Sequence, residues 1–342
     1  MRLDDFDYVL PPERIAQRPI EPRDAARLLV DRGDGPPDHR HVSDLVDLLS
    51  DGDLLVVNNT RVLPARLRLR RVSGGSVEVL LLEPVEHTQR VWDAMVRPSR
   101  KMRVGEQLVG NDGQVVAEIV GRSPAGDTMH VHIIGEADPL ITFAAHGEMP
   151  LPPYIHERLD HPDRYQTVYA DRPASAAAPT AGLHFTPELL ARLQARGVQH
   201  ETVELVVGLD TFRPIAVDNP LEHVMHSERY VVSDAVVQAC RTARRVVAVG
   251  TTTVRALESA AATGLGQGRT SIFIHRPFEW KVVDLMMTNF HLPRTTLLMM
   301  IDAFVGDRWR DLYQQAVERD YRFLSFGDAM LLDRHAGLPV GM

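Results

Sequence analysis

Residues 53–72 read DLLVVNNTRVLPARLRLRRV, and two different periods meet inside them. Leu54 to Val57 is an unbroken apolar run, the pattern of a buried strand. A few residues later the pattern alternates. Arg66, Arg68 and Arg70 fall on one face and Leu67 and Leu69 on the other, as successive side chains of a strand must. SGG then marks a turn, and SVEVLLLEPV, VWDAMVRPS, EQLVGNDGQVVAEIVG and TMHVHIIG continue the rhythm of strand and turn. Short strands at this spacing predict a meander or small barrel over residues 61–135.

On the far side of that module the pattern changes. From Gly135 to about Gly182 the chain is rich in Pro and Ala with little period and reads as a long connection. After it, helices and strands alternate. TPELLARLQARG reads as a helix with Thr186 as N-cap, Pro187 at the first position and Gly197 closing it. VQHETVELVVG is a strand, SDAVVQACRTARR a helix, VVAVG a buried strand and TTTVRALESAAATG a helix. TSIFIHR and KVVDLMM read as strands, and RTTLLMMIDAFVG as a helix. The predicted fold class is a large mixed α/β body, residues 1–60 and 136–342, with an inserted all-β barrel-like domain at 61–135.

The totals narrow the classes of function. A chain of 342 residues suits two domains. Cys240 is the only cysteine, so no disulfide forms within the chain and no cysteine-based metal cluster exists. The N-terminus is acidic without a long apolar run, and TTLLMMIDAFV is far too short to span a bilayer. A cytoplasmic protein without membrane contact is expected. The net charge of −8 argues at first against nucleic acid, but between Arg61 and Arg103 ten Lys/Arg stand against four Asp/Glu, a local +6. Charge acts locally because salt screens it beyond about 10 Å. Arg66, Arg68 and Arg70, with Arg100, Lys101 and Arg103 of RPSRKMR, are therefore candidate RNA contacts; the bland alternative is a solvated strand face.

Polar residues gather at junctions that follow strands, where open α/β sheets bind ligands. VVNNTRV places Asn58, Asn59, Thr60 and Arg61 after a buried strand, as ligand donors or as a turn between domains. VVAVGTTTVRALES brings Thr251, Thr252 and Arg255 to a helix start, suited to a carboxylate or phosphate, or to simple capping. MMTNFHLPRTTLL sets Asn289 and His291 between a strand and a helix. HVMHSERYVVS puts His226 and Glu228 on one face of an extended chain, an acid/base pair. Its histidine spacing fits no zinc motif, so no metal is assigned. GLGQG at 264–268 follows a helix and reads as a loop. APTAGLHFT, residues 178–186, is small and uncharged except for His184. Such a loop packs tightly on its own protein or hugs a ligand.

Eight segments (NNTRV, RYQTVYA, APTAGLHFT, GLDTFRP, MHSE, AVGTTTVRALES, TNFHLP and YRFLSFGDAML) stand in one order along the chain. In that order the chain resembles the S-adenosylmethionine:tRNA ribosyltransferase-isomerase family from about Leu3 to Leu332. The resemblance implies an α/β body with an inserted barrel. It implies a tRNA partner carrying 7-aminomethyl-7-deazaguanine at the wobble position, with no protein partner implied. S-adenosylmethionine would be a consumed co-substrate rather than a cofactor, and epoxyqueuosine, adenine and methionine the products. By analogy, His184, Asn289 and His291 would meet the nucleoside, with Thr180 and Gly182 in the same loop. His226 and Glu228 would move protons, and Thr251, Thr252 and Arg255 would hold the methionine carboxylate.

The chain departs from the family pattern at Asn59, where Asp is expected, at Val206 and Asp210, at Arg276–Pro277, and in RPASA at 172–176. Such changes leave room for a relative that donates the ribosyl group to a small molecule, or for a non-catalytic tRNA-binding protein.

Overall fold

The computed structural model describes residues 1–33, 35–85, 90–123, 126, 128–135, 138–208, 215 and 217–335. Its larger sheet has nine strands, in the order Gln267–Thr270, Glu228–Val231, Gln199–Leu205, Asp53–Asn58, Arg245–Val249, Leu285–Asn289, Ala329–Asp333, Arg27–Val30 and Asp38–His41. Gln199–Leu205, Asp53–Asn58, Arg245–Val249 and Leu285–Asn289 run parallel to one another, and Ala329–Asp333 returns antiparallel beside the last.

Asp53–Asn58 is buried at every position, which is why its sequence is continuously apolar: both faces of the sheet are covered. Leu54 and Val56 enter one core, with Val246, Ala248 and Met286. Leu55 and Val57 enter the other, with Val247, Val249 and Met287. Helices Thr251–Thr263, Thr296–Val305 and Arg308–Glu318 cover the first face. Helix Pro187–Ala195 covers the second through Leu189 and Leu193. Two of these helices are capped by threonine, whereas Thr251–Thr263, expected to be capped in the same way, starts from Gly250 without a side-chain cap. Thr186 Oγ1 accepts from Leu189 N–H at 3.0 Å and Thr295 Oγ1 from Leu298 N–H at 3.4 Å. Gly197, at φ +81°, holds the left-handed turn that ends the first helix, with its α-carbon against Asp51.

The central strand begins at Asp53, whose side chain is fully buried between Arg244 and Arg245. Burial alone would raise this carboxyl; hydrogen bonds from Arg245, the Ser50 N–H and Arg244 outweigh it and hold the group below its usual range.

Strands Arg66–Arg71, Ser76–Pro84, Val91–Arg97, Met129–Ile133, Val115–Arg122 and Gln107–Val109 pair antiparallel in that order, and the last returns to the first to close a barrel. The alternation of Arg66–Arg71 is realised: Leu67 and Leu69 are buried inside, and Arg68 and Arg70 are exposed. Helix Pro139–His146 packs on this barrel. Phe143 is fully buried in its core, edge-on to Trp92 at 5.1 Å. Arg269 ties the barrel to the body through two bonds to Glu83, at 2.9 and 2.8 Å.

Three expectations are corrected. TSIFIHR is not a strand: the edge strand is Gln267–Thr270, so it includes part of GLGQG, and KVVDLMM becomes a strand only at Leu285. Thr270 Oγ1 accepts from Ile272 N–H at 3.1 Å and turns the chain out of the sheet.

Phe143→Ala should destabilise the barrel by roughly 3–5 kcal/mol through the cavity it leaves. Urea denaturation of the variant, with the near-ultraviolet tryptophan signal to which Trp92 contributes as probe, checks this.

Candidate functional site

The parallel strands end at one edge of the sheet, and a cleft opens there, as strand order predicts. Gly250, Thr251 and Thr252 follow Arg245–Val249, and Asn289, Phe290 and His291 end or follow Leu285–Asn289. Leu324 and Ser325 come from the turn before Ala329–Asp333, and Pro179 to Ala181 from the loop Ala178–Thr186. The cleft is open to solvent and holds about 70 Å³ of free space between its walls. Gly250 has φ +87°, a conformation that glycine adopts without strain and that starts the helix at the cleft wall.

Asn289 joins these loops. Its Oδ1 accepts from Thr180 Oγ1 at 2.9 Å, and its Nδ2 lies 3.2 Å from His184 Nε2 and donates to the Asp328 carbonyl at 3.3 Å. Asp328 is itself buried and accepts backbone N–H groups of Arg27 and Arg322. Leu324, at φ +67°, is a non-glycine residue in the left-handed region at the cleft wall, a strained geometry of the kind found at ligand sites.

His184 does not line the cleft. It is 5% exposed and stands behind Asn289. His291 does line it, with Nε2 at 3.1 Å from Thr288 Oγ1, its N–H donating to Tyr313 Oη at 3.0 Å, and its carbonyl accepting from the Tyr8 hydroxyl. Burial, helped by the charge of Arg322, pushes the His184 imidazole down to about 4. Burial pushes His291 down to about 3. Both rings are neutral at pH 7.

Other expected residues fall elsewhere. Asn58 is fully buried and turned inward: its Nδ2 donates to the Leu205 carbonyl at 3.0 Å and to Thr252 Oγ1 at 3.3 Å, and its Oδ1 accepts from Thr60 N–H. Thr60 is also fully buried, and Arg61 is exposed on the short strand Thr60–Val62, which pairs with Arg172–Ser175. Asn58, Asn59, Thr60 and Arg61 therefore stitch strands and do not line the cleft; Asn58 acts on it only by holding Thr252. Gly182 is also structural. A Cβ there would lie 1.9 Å from Tyr169 Oη, so the missing side chain admits a tyrosine rather than a ligand. The small residues of APTAGLHFT thus serve both readings at once, since Pro179, Thr180 and Ala181 do face the cleft.

His226, Glu228 and Arg255 line a neighbouring cleft, which shares Leu297 with the first. Glu228 and Arg255 form a buried ion pair there. Thr251 and Thr252 are thereby separated from Arg255, although the three lie on one helix. Sequence reading missed Tyr154 and Ser325, whose hydroxyls meet at 2.7 Å on the first cleft. Ser325 sits within YRFLSFGDAML, but Tyr154 comes from the aperiodic connection, where no local pattern marks it.

On the barrel, Arg70, Arg100, Lys101 and Arg103 are exposed. Arg68 pairs with Glu148 at 2.8 Å, and Arg66 turns back to the Leu151 carbonyl at 3.2 Å. Among the described residues no cluster of His, Cys, Asp or Glu suits a metal, and no helix is long and apolar enough to cross a membrane. Asp210 lies outside the described residues. Asn59, Val206 and Arg276 line neither cleft. Arg276 instead grips the buried Asp302 through Nε and Nη2 at 2.7 and 2.6 Å, a pairing that explains an arginine at that position.

The sequence matches the family described as queuosine biosynthesis protein over residues 3–332. A Symbiobacterium thermophilum protein named S-adenosylmethionine:tRNA ribosyltransferase-isomerase is 50% identical, across 97% of this chain and 100% of its own. A protein of the same name from Moorella thermoacetica is 50% identical, again across 97% and 100%. The crystal structure of S-adenosylmethionine tRNA ribosyltransferase from Thermotoga maritima is similar with a TM-score of 0.54 and 39% identity, covering 96% of this chain and 99% of that one.

The neutral histidines set a pH dependence. In the unfolded chain each ring takes up a proton near pH 6.5, but in the folded protein only near pH 4 or below. Their contribution to stability is complete above pH 6.5 and is lost as acid is added, by roughly 1.4 kcal/mol per pH unit for each ring. His184→Gln should reduce the loss of stability between pH 6.5 and 5 by about 2 kcal/mol, measured by urea unfolding at the two pH values.

Proposed function

The chain belongs to the queuosine biosynthesis protein family, and from that premise we propose that it is an S-adenosylmethionine:tRNA ribosyltransferase-isomerase. It transfers and isomerises the ribosyl moiety of S-adenosylmethionine onto 7-aminomethyl-7-deazaguanine in tRNA, releasing adenine and methionine and leaving epoxyqueuosine. S-adenosylmethionine is consumed as a substrate. Its setting is the cytoplasm, where that substrate and tRNA are found together.

The observation that carries this reading is the cleft at the strand ends, where Asn289, Thr180 and His291 converge from distant parts of the chain. The reaction begins by removing a proton from the sugar carbon beside the sulfonium. Elimination of adenine, attack by the amine of the modified base and closure of the epoxide with loss of methionine then complete it. His291 is neutral at pH 7, so its unprotonated nitrogen has a lone pair to take a proton, while burial makes the ring a weaker base than a free imidazole. Thr288 holds Nε2, and among the described residues Nδ1 has no partner. His184 acts through Asn289, whose carboxamide it orients toward the nucleoside. The helix start at Thr251 and Thr252 supplies donors on the same wall. His226, at the rim of the second cleft, is the candidate to return a proton to a leaving group. The apolar walls exclude water from the opened sugar.

The barrel, read as an inserted unit at 61–135, offers Arg68, Arg70, Arg100, Lys101 and Arg103 to the phosphates of tRNA, with Arg66 on the same face tied back to the Leu151 carbonyl. A small-molecule acceptor is disfavoured because the described departures from the family pattern at Asn59, Val206 and Arg276 lie away from both clefts.

Incubation with S-adenosylmethionine and tRNA bearing the aminomethyl base should give epoxyqueuosine in the nucleoside digest by mass spectrometry. Adenine release without labelled tRNA would assign the acceptor to a small molecule. His291→Ala should lower turnover at least a hundredfold, roughly the contribution of a positioned proton carrier, with the thermal transition retained. Wild-type turnover would remove His291 from the chemistry. Replacing Arg68 and Arg70 together by Ala should weaken tRNA binding and lower its log–log salt slope by about one to two. An unchanged slope would assign that face to solvent.

A further inference from the structure

Arg255 sits at the base of the second cleft and is 6% exposed. Its Nη1 donates to Glu228 Oε2, while Nε and Nη2 are buried without a hydrogen-bond partner among the described residues. Buried guanidinium nitrogens are seldom left unmatched in a folded protein. The unmatched pair is the lateral fork of the guanidinium, and this chain shows what that fork takes. Arg276 offers the same two atoms, Nε and Nη2, to the two oxygens of Asp302, and two parallel N–H donors match a carboxylate best of all acceptors.

Resting on the reading of S-adenosylmethionine as substrate, we propose that the second cleft holds its methionyl end, with the α-carboxylate on Nε and Nη2 of Arg255 and the α-ammonium on the Glu228 carboxylate. The charges support this arrangement. Glu228 and Arg255 together are neutral, and so is an amino-acid zwitterion. Four charges then alternate in sign, each beside an opposite partner, and the amino-acid end of the ligand adds no net charge to the buried pair. Burial pushes the Arg255 guanidinium down to about 10, so it remains a cation at neutral pH. Ile272, Phe273 and Met300 supply apolar walls for the methylene chain. Leu297 lines both clefts, which puts the sulfonium near the divide and the nucleoside on the side of Thr251, Thr252 and Asn289.

The other occupant to weigh is the acceptor base. Guanine presents two acceptors, O6 and N7, to an arginine fork, but a 7-deaza ring has carbon in place of N7 and offers only one. The fork therefore favours the carboxylate. Glu228 becomes a binding residue rather than a proton carrier, and Arg255 separates from the threonines of its own helix.

Calorimetric binding to the full-length protein tests the assignment with S-adenosylmethionine, its decarboxylated analogue and its desamino analogue. Loss of either charged group should weaken binding roughly tenfold to hundredfold, the effect of a charge-assisted hydrogen bond. In Arg255→Lys, S-adenosylmethionine should bind about as weakly as the decarboxylated analogue, and that analogue should bind as it does to the wild type. In Glu228→Gln the same should hold for the desamino analogue. The series on unaltered protein stands even where a variant fails to fold. Equal affinity of the wild type for all three compounds would overturn the assignment, as would variants that still discriminate. Failure of the wild type to bind S-adenosylmethionine at all would overturn the functional reading with it.

Discussion

The carboxamide of Asn289 is the contact on which the site depends. Its oxygen takes the Thr180 hydroxyl and its nitrogen meets His184 and the Asp328 carbonyl. One side chain at a strand end thus holds the loop at 178–186 and the turn at 321–328 against the same edge of the sheet. An amide can do this because it carries donors and acceptors on one rigid plane. A carboxylate would lose the donors, and an alcohol would reach too few partners. Asp328 extends the arrangement by fixing the turn through the backbone of Arg27 and Arg322.

Electrostatics divides the two clefts. The first is lined by one imidazole, His291, with hydroxyls and an amide, and His184 stands behind Asn289; burial keeps both rings uncharged. The second is built on a buried ion pair, Glu228 with Arg255. A zwitterionic tail and an uncharged nucleoside demand different surroundings, and a low-dielectric interior penalises any mismatch. A shared wall at Leu297 brings the two environments within reach of one extended ligand.

The departures from the family pattern gain physical content from the folded chain. Arg276 neutralises Asp302, which is buried and also accepts the Trp309 indole N–H at 2.9 Å. The arginine therefore matters to helix Thr296–Val305, whose other face contributes Leu297 to both clefts. Asn59 serves through its backbone, which links the central strand region to Asp171 and Arg172, so the exchange of its side chain does not reach the cleft walls.

What the sequence determined by itself is everything that follows from local period and local hydrogen bonding. Unbroken apolar runs marked strands covered on both faces, alternation marked Arg66–Arg71 as a barrel strand, and Thr186 at its helix start became a cap. A motif order along the chain indicated the family. Tertiary structure alone decided which polar residues serve a ligand. Asn58 and Asn289 each end a buried strand at the same edge of the sheet. The first is turned inward onto Leu205 and Thr252, and the second faces the cleft. The difference lies in their neighbours across the sheet and from remote loops, which come from positions more than a hundred residues away in sequence. A strand's period assigns a side chain to a face; what occupies the space beyond that face is supplied by the rest of the fold.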